Sequence, residues 1–182
     1  VSNNSWGGST KITDITESAI RSAYSATVTA MRAAQNNGTL IVYSAGNSGN
    51  TEVDSWGGSP YYITELANEW LVVVAVDSSL TETNYTNRCG VAKDFCVVAP
   101  GGGDNQGSDG ILAAQANGSY VRYSGTSMAA PHVSGLAAAL MEKFPSLTAA
   151  QIATRIKSTA SLSGLTGSGG QTSANSSTAV MQ

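Results

Sequence analysis

Residues 70–76 read WLVVVAV, seven apolar and mostly β-branched residues with no polar alternation. A strand with one wet face alternates apolar and polar positions. A run without alternation belongs to a strand covered on both faces, as in a buried parallel sheet. The surroundings repeat this grammar. Residues 40–43 (LIVY) form a short apolar run that stops at the loop chemistry of SAGNSG, 44–49. Residues 97–99 (VVA) run into a Pro-Gly-Gly-Gly break.

Helical patterns lie between these runs. Asp14-Ile15-Thr16-Glu17 has the spacing of a capping box and opens a helical stretch to about Asn36, closed by Asn37-Gly38. Ile15, Ala19, Ala23, Ala26, Ala30 and Ala34 give that stretch a narrow face of small residues. Residues 111–114 and 119–123 flank Asn117-Gly118 and read as a β-hairpin. A helix is expected over 127–144, ended by Pro145, and a second capping box at Thr148-Ala149-Ala150-Gln151 opens one through about Ser158. Strands alternating with helices predict an α/β fold of three layers, a mostly parallel sheet flanked by helices. Residues 159–182 turn to Ser, Thr, Gly and Asn and are expected to be a tail or loop beyond the domain of residues 1–158.

Composition narrows the function. The 182 residues suit one domain; charged residues are 12 %, about half the usual ~25 %. The formal charge of −3 and the absence of a Lys/Arg cluster argue against a nucleic-acid partner. No apolar run approaches the ~18 residues of a membrane helix. Cys89 and Cys96 are close enough for a disulfide in an oxidising compartment, or they are two reduced, partly buried thiols. Neither they nor the acidic residues form a metal-ligand cluster, so no metal or cofactor is expected.

Open α/β sheets place ligands beyond the carboxyl ends of their strands. SAGNSG (44–49) and GTSMAAPHVSG (125–135) both fall there. Ser127, at the start of a helix, would have unpaired backbone N–H groups and the positive end of the dipole around it, as an oxyanion needs. It is equally a serine capping an ordinary helix. The motif is not the G-x-S-x-G elbow, because Ala129 stands where the second glycine would be. Asn47 could aim an amide N–H at the same oxyanion, or simply belong to a glycine-rich turn.

Together these segments resemble the subtilisin-like serine proteases (subtilases). GTSMAAPHVSG is similar to their nucleophile motif, SAGNSG to their oxyanion-asparagine motif, and NNSWGG to the edge that pairs with substrate backbone. VVAVDSS and CVVAPGG match in order. The Cys-flanked NRCGVAKDFCVVAPGG resembles the subtilase passenger domains of bacterial autotransporters, which implies a secreted or cell-surface location. The resemblance covers about residues 1–158. It implies that Ser127 is the nucleophile of an endopeptidase and Asn47 its oxyanion side chain. Ser5, Trp6 and Gly7 would wall one side of the substrate cleft, with Ser44, Ala45 and Gly46 opposite. The small wall residues allow a broad apolar side chain at P1; residues 51–69 match no motif, and the resemblance assigns that pocket no floor.

A base is also needed, since a serine hydroxyl is a weak nucleophile alone. His132 is the single histidine. Five helical residues put it about 140° around and about 7.5 Å along from Ser127. In the family this histidine belongs to the nucleophile helix, so it reads as a packed or capping residue. The family's Asp and His motifs would lie upstream of NNSWGG. The expectation is therefore the C-terminal part of a subtilase catalytic domain, an incomplete domain inactive without its N-terminal part, with polypeptides as substrates. The alternative is a peptide-binding module of the same shape that performs no chemistry.

Overall fold

In the computed structural model, which describes residues 1–104, 107–161, 165 and 179–180, the WLVVVAV run is β3 (Trp70–Val76), buried along its whole length. It is the middle strand of a sheet ordered β1-β2-β3-β4-β7, built with β1 (Ser2–Asn4), β2 (Ile41–Ser44), β4 (Cys96–Pro100) and β7 (Ala179–Val180). Every neighbouring pair is parallel, with Tyr43 beside Val72 and Val72 beside Cys96.

The two faces of β3 enter different cores. Val72, Val74 and Val76 pack with Ile12, Ile20 and Leu66, whereas Leu71, Val73 and Ala75 pack with Ala130, Val133 and Ile152. The second face is covered by α3 (Thr126–Lys143) and α4 (Ala149–Thr159). On the first lie α1 (Glu17–Ala23), α2 (Ser25–Asn36) and several short 3-10 turns. Burial of each large apolar side chain contributes about 1.5–3 kcal/mol, so a strand buried on both sides anchors the whole molecule. The expected three-layer α/β fold with a parallel sheet is the fold observed.

Some local expectations change. The stretch after Asp14 is two helices broken at Tyr24, whose ring stacks on Trp56 at 3.6 Å and whose hydroxyl meets Ser55 Oγ at 3.1 Å. This tertiary contact outweighs helix propensity, which could not distinguish one helix from two. The cap is Thr16, whose hydroxyl accepts the Ala19 N–H, and Asp14 lies in the preceding 3-10 turn. The capping box at Thr148 and Gln151 forms as expected. So does the hairpin, with β5 (Ile111–Ala114) antiparallel to β6 (Tyr120–Tyr123). Cys89 and Cys96 form a disulfide across the turn that leads into β4. Within the stretch expected to be a tail, Ala179–Val180 form β7, and Leu165 packs against the core; most of the rest lies outside the described residues.

Candidate active site

The carboxyl ends of β1 and β2 and the amino end of α3 meet at one edge of the sheet. α3 begins at Thr126, one residue before the expected start, and Gly125 is its N-cap. Ser127 therefore lies inside the first turn and does not cap it. Its neighbours' N–H groups are taken: Thr126 N–H by Asn47 Oδ1 at 2.8 Å, and those of Met128 and Ala129 by Gly125 O at 2.9 and 3.2 Å. Among the described residues the Ser127 N–H has no partner.

Pro131 explains how β1 is fastened to this turn. Proline lacks the N–H that would bond the carbonyl four residues back, which leaves Ser127 O without an intrahelical donor. Ser5, just beyond β1, fills the place: its Oγ donates to Ser127 O at 2.9 Å. In return Ser127 Oγ donates to Ser5 O at 3.2 Å.

Asn47 is held in one orientation. Its Oδ1 accepts both the Thr126 N–H and the Thr126 hydroxyl, each at 2.8 Å. A backbone N–H can only donate, so the amide oxygen must face Thr126 and Nδ2 is turned outward. Nδ2 has no partner among the described residues and lies 3.4 Å from where a Gly125 Cβ would stand. Buried Asn87 braces the loop from behind, accepting from Ser48 and Asn50 N–H groups and donating to Ala45 O. Gly46 has φ +102°, and a Cβ there would run into Asn87 Nδ2, so only glycine fits.

The two expected walls face each other across a buried acid. Ser44 and Ala45 are buried and Gly46 is half-buried; the Gly46 N–H donates to Thr126 Oγ1 at 3.2 Å. Opposite, Trp6 is 47 % exposed and packs edge-on against Tyr43 and Trp56. Asp54, from the stretch that matched no motif, is 1 % exposed. Its Oδ1 accepts the N–H groups of Trp56 and Gly57 at 2.9 and 2.8 Å. Its Oδ2 is buried without a hydrogen bond of regular geometry, and so is the Tyr43 hydroxyl. Burial pushes the Asp54 carboxyl up to about 7, against the downward pull of the Gly57, Trp56 and Gly8 N–H groups. Burial, with the nearby Asp54 charge, also holds the Tyr43 phenol well above its ordinary range.

Of the two readings of His132, packed or capping, the packed one does not hold. His132 is exposed on the next turn of α3, with Nδ1 3.0 Å from Met128 O. It borders a cavity of about 290 Å³ beside Ser127, walled by β5 and by Met128 and Pro131. No imidazole is hydrogen-bonded to Ser127 among the described residues.

Thr126, Asn87 and Asp54 were not singled out in the sequence. Thr126 precedes the serine inside the quoted motif and could have been noticed. Asn87 and Asp54 reach the site only through tertiary contact and leave no local signal.

Comparison with known proteins identifies the family. Residues 1–179 match the profile of the Subtilase family. An extracellular serine protease of Serratia marcescens is 36 % identical over 161 residues, 79 % of this chain and 15 % of that protein. Serotype-specific antigen 1 of Mannheimia haemolytica is 32 % identical over 166 residues, 87 % of this chain and 18 % of its own length. The crystal structure of a cold-adapted subtilisin-like serine proteinase superposes with a TM-score of 0.64 at 28 % identity, covering 93 % of this chain and 51 % of that one. The chain thus spans under a fifth of these two curated relatives.

Proposed function

The chain belongs to the subtilase family, and on that premise we propose that it bears the nucleophile and the oxyanion cradle of a serine endopeptidase. The observation that carries the reading is the pair of unclaimed donors beside the serine. Among the described residues Ser127 N–H lacks a partner, and Thr126 turns Asn47 so that Nδ2 has none either. Two fixed N–H donors are what a tetrahedral intermediate requires, and they need not reorganise as charge develops.

In this mechanism Ser127 Oγ attacks the scissile carbonyl. The carbonyl oxygen, now anionic, is held by the Ser127 N–H and Asn47 Nδ2. Collapse of the intermediate expels the amine and leaves an acyl group on Ser127, which water then hydrolyses. Substrate backbone lies along residues 5–7, with residues 44–46 as the opposite wall. The proton acceptor is proposed to come from sequence preceding Val1, since His132 is turned to the Met128 carbonyl. The chain is then part of a catalytic domain whose sheet includes β7 at residues 179–180, and alone it is inactive. The disulfide and the extracellular relatives support a secreted or cell-surface protein, with an autotransporter as the specific form.

Labelling with a fluorophosphonate, with the modified residue located by mass spectrometry, tests the reading. Labelling of Ser127 in the full-length protein and none in residues 1–182 alone is the expected result. No labelling in either would leave a peptide-binding module without chemistry.

A further inference from the structure

Two glycines on opposite walls of the cleft lean on one oxygen atom. A Cβ on Gly7 would collide with Asp54 Oδ2, and one on Gly46 would stand 3.4 Å from it. Each wall is also tied to the serine turn, Ser5 to Ser127 and Gly46 to Thr126. Asp54 Oδ2 therefore lies between the two walls, and both walls are tied to the turn that carries Ser127. We propose that Asp54 is the specificity-determining residue of this site, selecting a lysine or arginine side chain at P1. The inference deepens the endopeptidase reading and rests on it.

The local fold accounts for only half of this carboxylate. Oδ1 closes the turn at residues 54–57 through the Trp56 and Gly57 N–H groups, and one oxygen suffices for that. Beyond that turn the Gly8 N–H is the further backbone donor acting on this carboxyl, Oδ2 has no hydrogen bond of regular geometry, and no lysine or arginine pairs with Asp54 among the described residues. A buried acid lacking a cation is costly to keep, and neutral side chains of similar size close such turns. An ammonium or guanidinium entering between Gly7 and Gly46 would give Oδ2 the charged donor it lacks. An apolar P1 side chain would leave Oδ2 buried without a charged donor. The small walls, which from sequence alone allow a broad apolar P1, carry no charge and set no preference between an apolar and a cationic side chain. The acid from residues 51–69 decides between them.

The test uses the full-length protein and peptides identical except at P1, lysine against its uncharged isostere norleucine. The expected kcat/KM ratio is about 10² or more in favour of lysine, and Asp54→Asn, which keeps an acceptor for the turn, brings the ratio close to one. A wild-type ratio near or below one overturns the proposal whether or not the variant folds, and so does a ratio unchanged in a folded Asp54→Asn protein. Fluorophosphonate labelling of Ser127 separates the two readings. Labelling without a P1 preference sinks the role of Asp54 and leaves the endopeptidase. Without labelling or hydrolysis the endopeptidase reading fails, and titration with Nα-acetyl-arginine amide against Nα-acetyl-norleucine amide then decides the pocket. Arginine-selective binding that Asp54→Asn removes upholds the proposal; equal binding overturns it.

Discussion

Ser5 and Ser127 hold each other reciprocally: each hydroxyl donates to the other's backbone carbonyl, at 2.9 Å from Ser5 and 3.2 Å from Ser127. The pair joins the end of β1 to the first turn of α3 across 122 residues of sequence. Pro131 makes the contact necessary, because it leaves Ser127 O without a helical donor.

Ser5→Ala should therefore cost more than a surface serine. It strands a partly buried carbonyl, so a loss of about 1 kcal/mol is expected in urea unfolding. In Ser5→Ala/Pro131→Ala the restored helical N–H should recover part of that loss. Equal stability of Ser5→Ala and wild type would show that the bond contributes nothing.

Asn47 has separable duties. Asn47→Asp retains an oxygen to accept the Thr126 N–H and hydroxyl but removes the Nδ2 donor. The variant should fold, while kcat of the full-length protein falls by at least ~10²–10³, the magnitude established for removing one such donor in subtilisin, a member of this family. Stopped or steady-state peptide hydrolysis measures it. Turnover within threefold of wild type would remove Asn47 from the mechanism.

Asp54 should make the free protein less stable as pH rises. Its carboxyl moves from an ordinary 3.8 to about 7 on folding, so between those values the folded state holds a proton that the unfolded chain has released. Its stabilising share is complete below about 4 and is lost as pH climbs to 7, by up to about 4 kcal/mol. Thermal unfolding from pH 4 to 7.5 should show this slope in the wild type and a flatter profile in Asp54→Asn. Parallel profiles would refute the assignment.

The disulfide closes a short loop, with a sequence separation of 7. Loop-closure entropy assigns such a bridge about 2–3 kcal/mol. Cys89→Ala/Cys96→Ala should lower stability by about that amount, read from denaturant midpoints. Activity of the full-length protein at 25 °C should persist, because the bridge enters β4 and not the serine turn.

What the sequence determined by itself is what depends on near neighbours in the chain. Unbroken β-branched runs marked β2, β3 and β4, since a strand covered on both faces has no polar position to show. Thr148 and Gln151 marked the start of α4, since a capping box lies within four residues. The segments around Ser127, Asn47 and the SWG edge were legible as motifs for the same reason. Tertiary structure alone decided what distant residues do to one another. Tyr24 broke an otherwise plausible helix because Trp56 lay where its ring could stack. Thr126 turned the Asn47 amide, Asn87 braced its loop, and the chain brought Asp54 between Gly7 and Gly46. None of these leaves a period or a spacing behind, because a buried hydrogen bond or an unpaired carboxylate is set by what folding brings beside it.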